Sequence, residues 1–161
     1  MGVYFPNTAL LEVGTKLSAP SYVVQTVHNI SGASTATTST SPVDLYTTPT
    51  GITLTNASNK ILIEFCWENR ANDWGDGVWN LYYMDLIHIQ TGAQLTYTGY
   101  RGEYTYTIRP TRRQVIHTPG NVGPHTYKVR GWCYSASQTT FGGGAAGGDG
   151  NYYIRMTEIA A

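Results

Sequence analysis

Charge is scarce in this sequence. Only 12% of its 161 residues are Asp, Glu, Lys or Arg, and ten basic side chains balance ten acidic ones. That balance excludes the strong positive field that sequence-independent binding of DNA or RNA requires, so no nucleic-acid partner is expected. Cysteine is almost as rare. Cys66 and Cys133 sit inside apolar, strand-like runs at no metal-ligand spacing. Buried free thiols are the favoured reading, and a disulfide needs a fold that brings the two Cα atoms within about 7 Å. No apolar run has the length of a bilayer span, and the opening MGVYFPNTALLEVG has neither a basic leader nor a long apolar region. No signal peptide, membrane anchor or membrane partner is therefore expected. Pro6 also occupies the place where a myristoylation signal wants Ser or Thr.

Catalytic signatures are missing too. The chain contains no G-x-S-x-G elbow, no H-E-x-x-H and no phosphate-cradling G-x-x-x-x-G-K-[ST]. His28, His88, His117 and His125 are scattered along it and read as ordinary structural histidines rather than members of a triad. No acid pair at positions suited to glycoside hydrolysis is evident. The expectation is a protein that is not an enzyme and carries no cofactor. ANDWGDG gathers Asn72, Asp73 and Asp76, oxygen ligands of the kind calcium uses, but not at the spacing of an EF-hand, so no metal is expected.

What is abundant is Gly, Ser, Thr, Asn and Tyr, a composition poor for helices and suited to an all-β chain. At this length a single domain can bury about 70% of the surface its unfolded form exposes. Strands are expected at Tyr22 to Asn29, Val43 to Tyr46, Gly51 to Thr55, along NKILIEFCWEN, at 78 to 90, Gln94 to Tyr97, Tyr104 to Ile108, Arg113 to His117, Tyr127 to Tyr134, and in the closing YYIRMTEIAA. SGASTATTSTSP, with no apolar period, reads as loop, as do RPTRRQ and the glycine-rich FGGGAAGGDGN. Residues 1 to 20 mix apolar side chains with Pro6, Gly14 and Pro20 and read as an extended arm, with one helical turn at Ala9 to Val13, ahead of a domain at 21 to 161. About eight to ten short antiparallel strands with turn signals between them indicate a sandwich or barrel.

The segment VWNLYYMDLIHIQ (78 to 90) then poses a packing problem. Trp79, Leu81, Tyr83, Ile87 and Ile89 share one face of a strand, and Val78, Tyr82, Met84 and Leu86 share the other. A helix is compatible with the spacing of Trp79, Tyr82, Tyr83, Leu86 and Ile89, but the aromatic and β-branched content and the Gly-Asp-Gly and Thr-Gly flanks favour a strand. A sandwich strand has one inner face, and its outer face ordinarily meets water. Trp132 and Tyr134 add to the excess. The economical expectation is that a second copy of the chain covers what one protomer leaves bare.

The order of segments resembles a β-domain common in virion proteins of tailed bacteriophages, found in fibre tips and capsid decorations. The likeness is carried by VVQTVHN, by SPVDLYTTPTGITLTNASNKILIEF after the Ser/Thr loop, by IHIQTGAQL and by the terminal YYIRMTEIAA, over about residues 22 to 161. It implies an antiparallel jelly roll similar to the heads of C1q and tumour necrosis factor, assembled as a homotrimer, with Trp79, Leu81, Tyr82, Tyr83, Met84, Leu86, Trp132 and Tyr134 at the trimer interface. Its implied place is the virion, on the capsid surface, after synthesis in the host cytoplasm. An arm of about twenty residues without a repetitive shaft is short for a tail fibre and suits a capsid cement protein, with Tyr4, Phe5, Leu10, Leu11 and Val13 as apolar contacts to the major capsid protein. Arg109, Arg112 and Arg113 are candidate partners for carboxylates on a neighbouring subunit. The second expectation is a fibre tip that grips a host-surface glycan through Trp74, a tyrosine cluster of Tyr97, Tyr100, Tyr104 and Tyr106, and the glycine-rich FGGGAAGGDGN, although packing explains most of these rings more simply.

Overall fold

The computed structural model describes residues 22–31, 34–71, 80–102, 109–134, 139–142 and 152–161. Among them there is no helix. The strands are β1 (Val23–Ser31), β2 (Ser34–Thr37), β3 (Val43–Thr47), β4 (Ile52–Thr53), β5 (Lys60–Ala71), β6 (Asn80–His88), β7 (Gln94–Gly102), β8 (Arg109–His117), β9 (Pro124–His125), β10 (Tyr127–Cys133), β11 (Thr139–Gly142) and β12 (Tyr152–Ile159). The expected arm at 1 to 20, its helical turn and the strand at Tyr104 to Ile108 lie outside the described residues.

All pairings are antiparallel, and they build two sheets that pack face to face and a separate two-stranded pair, β4 with β9. The first runs β1-β12-β5, with β8 on the far side of β5. β11 lies beside β5 at residues 69–71, directly beyond the 60–66 stretch that β12 covers, and β2 continues β1 in the same way. β11 and β12 are thus two parts of one column, and β1 and β2 form the next. The second sheet is β3-β10-β6-β7. The orders 1-12-5-8 and 3-10-6-7 are those of a jelly-roll-like sandwich, in which the chain passes repeatedly from one layer to the other, with β6 and β7 successive in the second.

β5 shows why the layers close. Ile61, Ile63, Phe65 and Trp67 alternate inward and are buried. Beside them in the same sheet lie Ile154 and Met156 of β12, and opposite them stand Met84 and Leu86 of β6 and Tyr127 and Val129 of β10, in one continuous core. At Gly131 there is no room for a side chain: an added Cβ would lie 2.7 Å from Leu45 on the neighbouring β3 and 2.9 Å from the Phe141 ring of the facing sheet. Cys66 and Cys133 are buried and free, as the sequence favours.

Three readings need correction. SGASTATTSTSP is not all loop, because Ser34–Thr37 pairs with β11, a four-residue strand beginning two residues before FGGG. Backbone pairing suffices for both, and neither needs an apolar period. RPTRRQ is not loop either: it opens β8, an edge strand that pairs only with β5 among the described residues, which is where a sheet tolerates Pro110. Third, Tyr82, Met84 and Leu86 face inward into the protomer's own core.

Candidate binding surfaces

Strand alternation decides which side chains each sheet offers outward. On the second sheet, Tyr83 of β6 stands opposite Trp132 of β10 and Gly99 of β7. The absent side chain at Gly99 lets the Tyr83 ring lie across the backbone, since a Cβ there would come within 2.9 Å of that ring. Tyr97 stacks on Tyr83 with centroids 5.5 Å apart and planes 22° apart, and Trp132 is tilted against both, at 5.5 Å from Tyr83 and 5.9 Å from Tyr97. Tyr134 closes the group, 6.3 Å from Tyr83. Tyr97 is 53% exposed and Tyr134 63%. The result is a four-ring aromatic patch.

Below the patch the same face turns polar. Asp85 is buried, and its carboxylate accepts from Arg130 Nε at 2.9 Å, Arg130 Nη2 at 2.5 Å and Gln94 at 3.0 Å. Lys128 reaches Asp44 at 2.9 Å. These bonds fix the strands beneath the rings and leave a bidentate ion pair at the patch's lower edge.

The outer face of the first sheet is mixed. Leu62 lies beside Ile116 across β5 and β8, with Ile116 61% exposed, and Ile30 on β1 is 58% exposed. Glu64 joins Arg155 in an ion pair and accepts from Gln114 at 2.6 Å. Burial would raise the Glu64 carboxyl, but the bonds from Gln114 and Arg155 outweigh it and hold the carboxyl below its ordinary value. A carboxylate so held is a poor proton donor. A depression of about 370 Å³ is lined by Glu64, Phe65, Arg112, Arg113, Gln114 and Tyr153.

Of the expected interface residues, Tyr83, Trp132 and Tyr134 meet in the aromatic patch. Tyr82, Met84 and Leu86 belong to the core, and Trp79 lies outside the described residues. Leu81, Tyr100 and Arg109 fall on β6, β7 and β8, and their side chains are not among those described. Arg112 is exposed on β8, whereas Arg113 crosses to the second sheet and donates to Thr98 of β7 at 2.8 Å, a bond between layers. Tyr4, Phe5, Leu10, Leu11, Val13, Trp74, Tyr104, Tyr106 and the Asn72, Asp73, Asp76 group lie outside the described residues.

Two polar clusters escaped sequence reasoning. Glu158 is fully buried and accepts from Gln25 Nε2 at 2.6 Å, Thr55 N at 2.7 Å, Thr55 Oγ1 at 2.8 Å and Asn59 Nδ2 at 2.7 Å. Burial alone would raise this carboxyl; the four donors win and bring it down to about 2. Its signal was legible: in YYIRMTEI the inward slots are Ile154, Met156 and then Glu158. The second cluster joins His88, His117 and His125 with Tyr127 between the sheets at one end of the sandwich. Nothing in the spacing of these histidines announces it, because they sit on β6, β8 and β9 and only the folded topology brings those ends together.

No protein-family model matches this chain, and no curated protein sequence matches it.

Proposed function

We propose that this chain is a non-enzymatic structural protein of a tailed-phage virion, a homotrimeric jelly roll that decorates the capsid and cements its subunits. The observation that supports this reading most is the apolar surface on the outer faces: the Tyr83, Tyr97, Trp132 and Tyr134 patch on one sheet and Leu62, Ile116 and Ile30 on the other. Large exposed apolar groups gathered in this way mark surfaces that another chain covers. Three-fold assembly, the capsid site and the contacts of Tyr4, Phe5, Leu10, Leu11 and Val13 with the major capsid protein come from the likeness to phage virion β-domains. The work is mechanical. A trimer bridging neighbouring capsid subunits adds contacts that must break before those subunits separate. Deleting residues 1 to 20 is expected to abolish binding to empty capsids while leaving the trimer intact. Undiminished capsid binding would overturn the assignment.

A second reading is favoured by the chemistry of the same patch. Flat aromatic rings beside hydrogen-bonding Arg130, Asp85 and Gln94 are the side-chain types that hold sugars, and in this reading the trimer is a fibre tip recognising a host glycan. It predicts adsorption of the isolated trimer to host cells and its loss in Tyr97→Ala. A folded trimer that does not adsorb removes this alternative.

A further inference from the structure

The histidine cluster has no part in either reading, and its geometry constrains what it does. His125 Nε2 lies 3.2 Å from the Asn121 carbonyl oxygen, which can only accept, so Nε2 carries the proton. In the neutral ring Nδ1 is then a lone pair. His88 Nε2 at 3.1 Å must donate to it, and His88 Nδ1 in turn accepts from the Thr91 hydroxyl at 2.9 Å. His117 completes the cluster, its Nδ1 2.9 Å from the Tyr127 hydroxyl and its ring 4.5 Å from that of His88. Every bond of the chain from Thr91 to Asn121 is satisfied with the rings uncharged.

We propose that His88, His117 and His125 form an acid-operated latch, in which proton uptake opens the end of the sandwich they seal while the rest of both sheets stays folded.

A proton on His125 Nδ1 would set two N–H groups head-on across 3.1 Å. A proton on His88 would place a positive charge in a buried site against two other imidazoles. Burial, and then the neighbouring His117 and His125, bring His88 down to about 4; burial and His125 lower His117 as well. Among the described residues, no acidic side chain offsets this charge. Glu158 of β12 lies on the same row as His117, beyond Ile61 of β5, but its oxygens are taken by Gln25, Thr55 and Asn59. Asp85 of β6 is held by Arg130 and Gln94 on the outer face, Asp44 of β3 by Lys128 of β10, and Arg113 of β8 reaches Thr98. β4 brings only Ile52 and Thr53. Among the described residues, no Asp, Glu, Lys or Arg bonds to any of the three rings.

The sealed end is also lightly held. β9 is two residues long and, among the described residues, pairs only with the two of β4. The 89–93 turn is tied to it by Ile89 N to Thr126 O at 3.0 Å and by the Gln90 side chain, which bonds Thr126 at 2.8 and 3.1 Å. Segments held by so few bonds open locally at lower cost than long central strands. Once open, the His88 and His117 rings are hydrated and take protons near the ordinary value of 6.5. From His88 alone, the opening equilibrium constant is expected to rise about tenfold per pH unit between about pH 6.5 and about pH 4.

Hydrogen exchange of the full chain at pH 7.0 and 4.5, corrected for intrinsic rates, tests this. Peptides covering 86–93 and 118–127 are expected to lose about a hundredfold in protection at the lower pH and regain it on return to neutrality, while 61–67 and 154–158 remain protected. Retained protection at the sealed end, or loss only together with the central strands, would overturn the latch. His88→Gln is expected to shrink the acid step at least tenfold, whereas His28→Gln, on the exposed face of β1, leaves it unchanged. An undiminished step in His88→Gln, or an equal effect of His28→Gln, also contradicts the proposal. Should His88→Gln not fold, the wild-type exchange pattern decides.

Discussion

Glu158 carries a formal charge into the interior, and it is tolerable there only because four donors converge on its two oxygens. Those donors come from β1, from the turn after β4 and from the residue before β5, so a single carboxylate ties the two chain ends of the first sheet to the connection between its strands. Glu158→Gln turns an acceptor-only group into one that presents N–H to N–H. The expected cost is about 3 kcal/mol in urea unfolding, because it removes charge-assisted bonds and leaves buried donors unpaired. A cost below about 1 kcal/mol would mean that the network does not hold the fold. The sequence displayed this residue in an inward slot but not its partners: Gln25 and Thr55 are more than a hundred positions away, and only pairing of β1 with β12 and closure of the 54–59 turn assembles them.

At the scale of elements, the layers are held at a fixed spacing where Gly131 of β10 lies beneath the facing Phe141 ring and beside Leu45. Gly131→Ala forces both side chains aside in a packed core and is expected to lower stability by about 1 to 3 kcal/mol while leaving the strand pairing intact by circular dichroism. A neutral outcome would show slack at this contact. The elements that were legible in advance are those with strict alternation over long runs, as in β5 and β10, where burial follows every second residue. The illegible ones are short or compositionally misleading. β2 is Ser/Thr-rich, β9 is two residues long, and β8 carries Pro110 and three arginines yet forms because β5 offers it a complete row of partners. The two-sided apolar character of 78 to 90 signalled surplus surface correctly but misallocated it: Tyr82, Met84 and Leu86 fill the core, and of the side chains described only Tyr83 contributes a ring to the patch.

For the molecule as a whole, acid should act in two stages. Unfolded histidine binds its proton near 6.5 and His88 in the fold only near 4, so the unfolded chain holds more protons between these values and stability falls as pH drops through that window. Glu158 follows: its carboxyl titrates near 4.5 when free and near 2 when folded, so the stability it provides above 4.5 is lost as pH falls towards 2. Urea midpoints measured from pH 7 to pH 2.5 are expected to decline in both ranges, with Glu158→Gln reducing the lower decline and leaving the upper one. A flat profile down to pH 4.5 would contradict the upper one.

The surface bears the larger claim. A protomer with an aromatic patch on one sheet and exposed isoleucines on the other is expected to be covered by its own copies. Light scattering coupled to size exclusion at micromolar concentration tests this most directly. The predicted result is a mass three times the 17.7 kDa of the single chain, insensitive to dilution. A soluble, folded species of 17.7 kDa would contradict it.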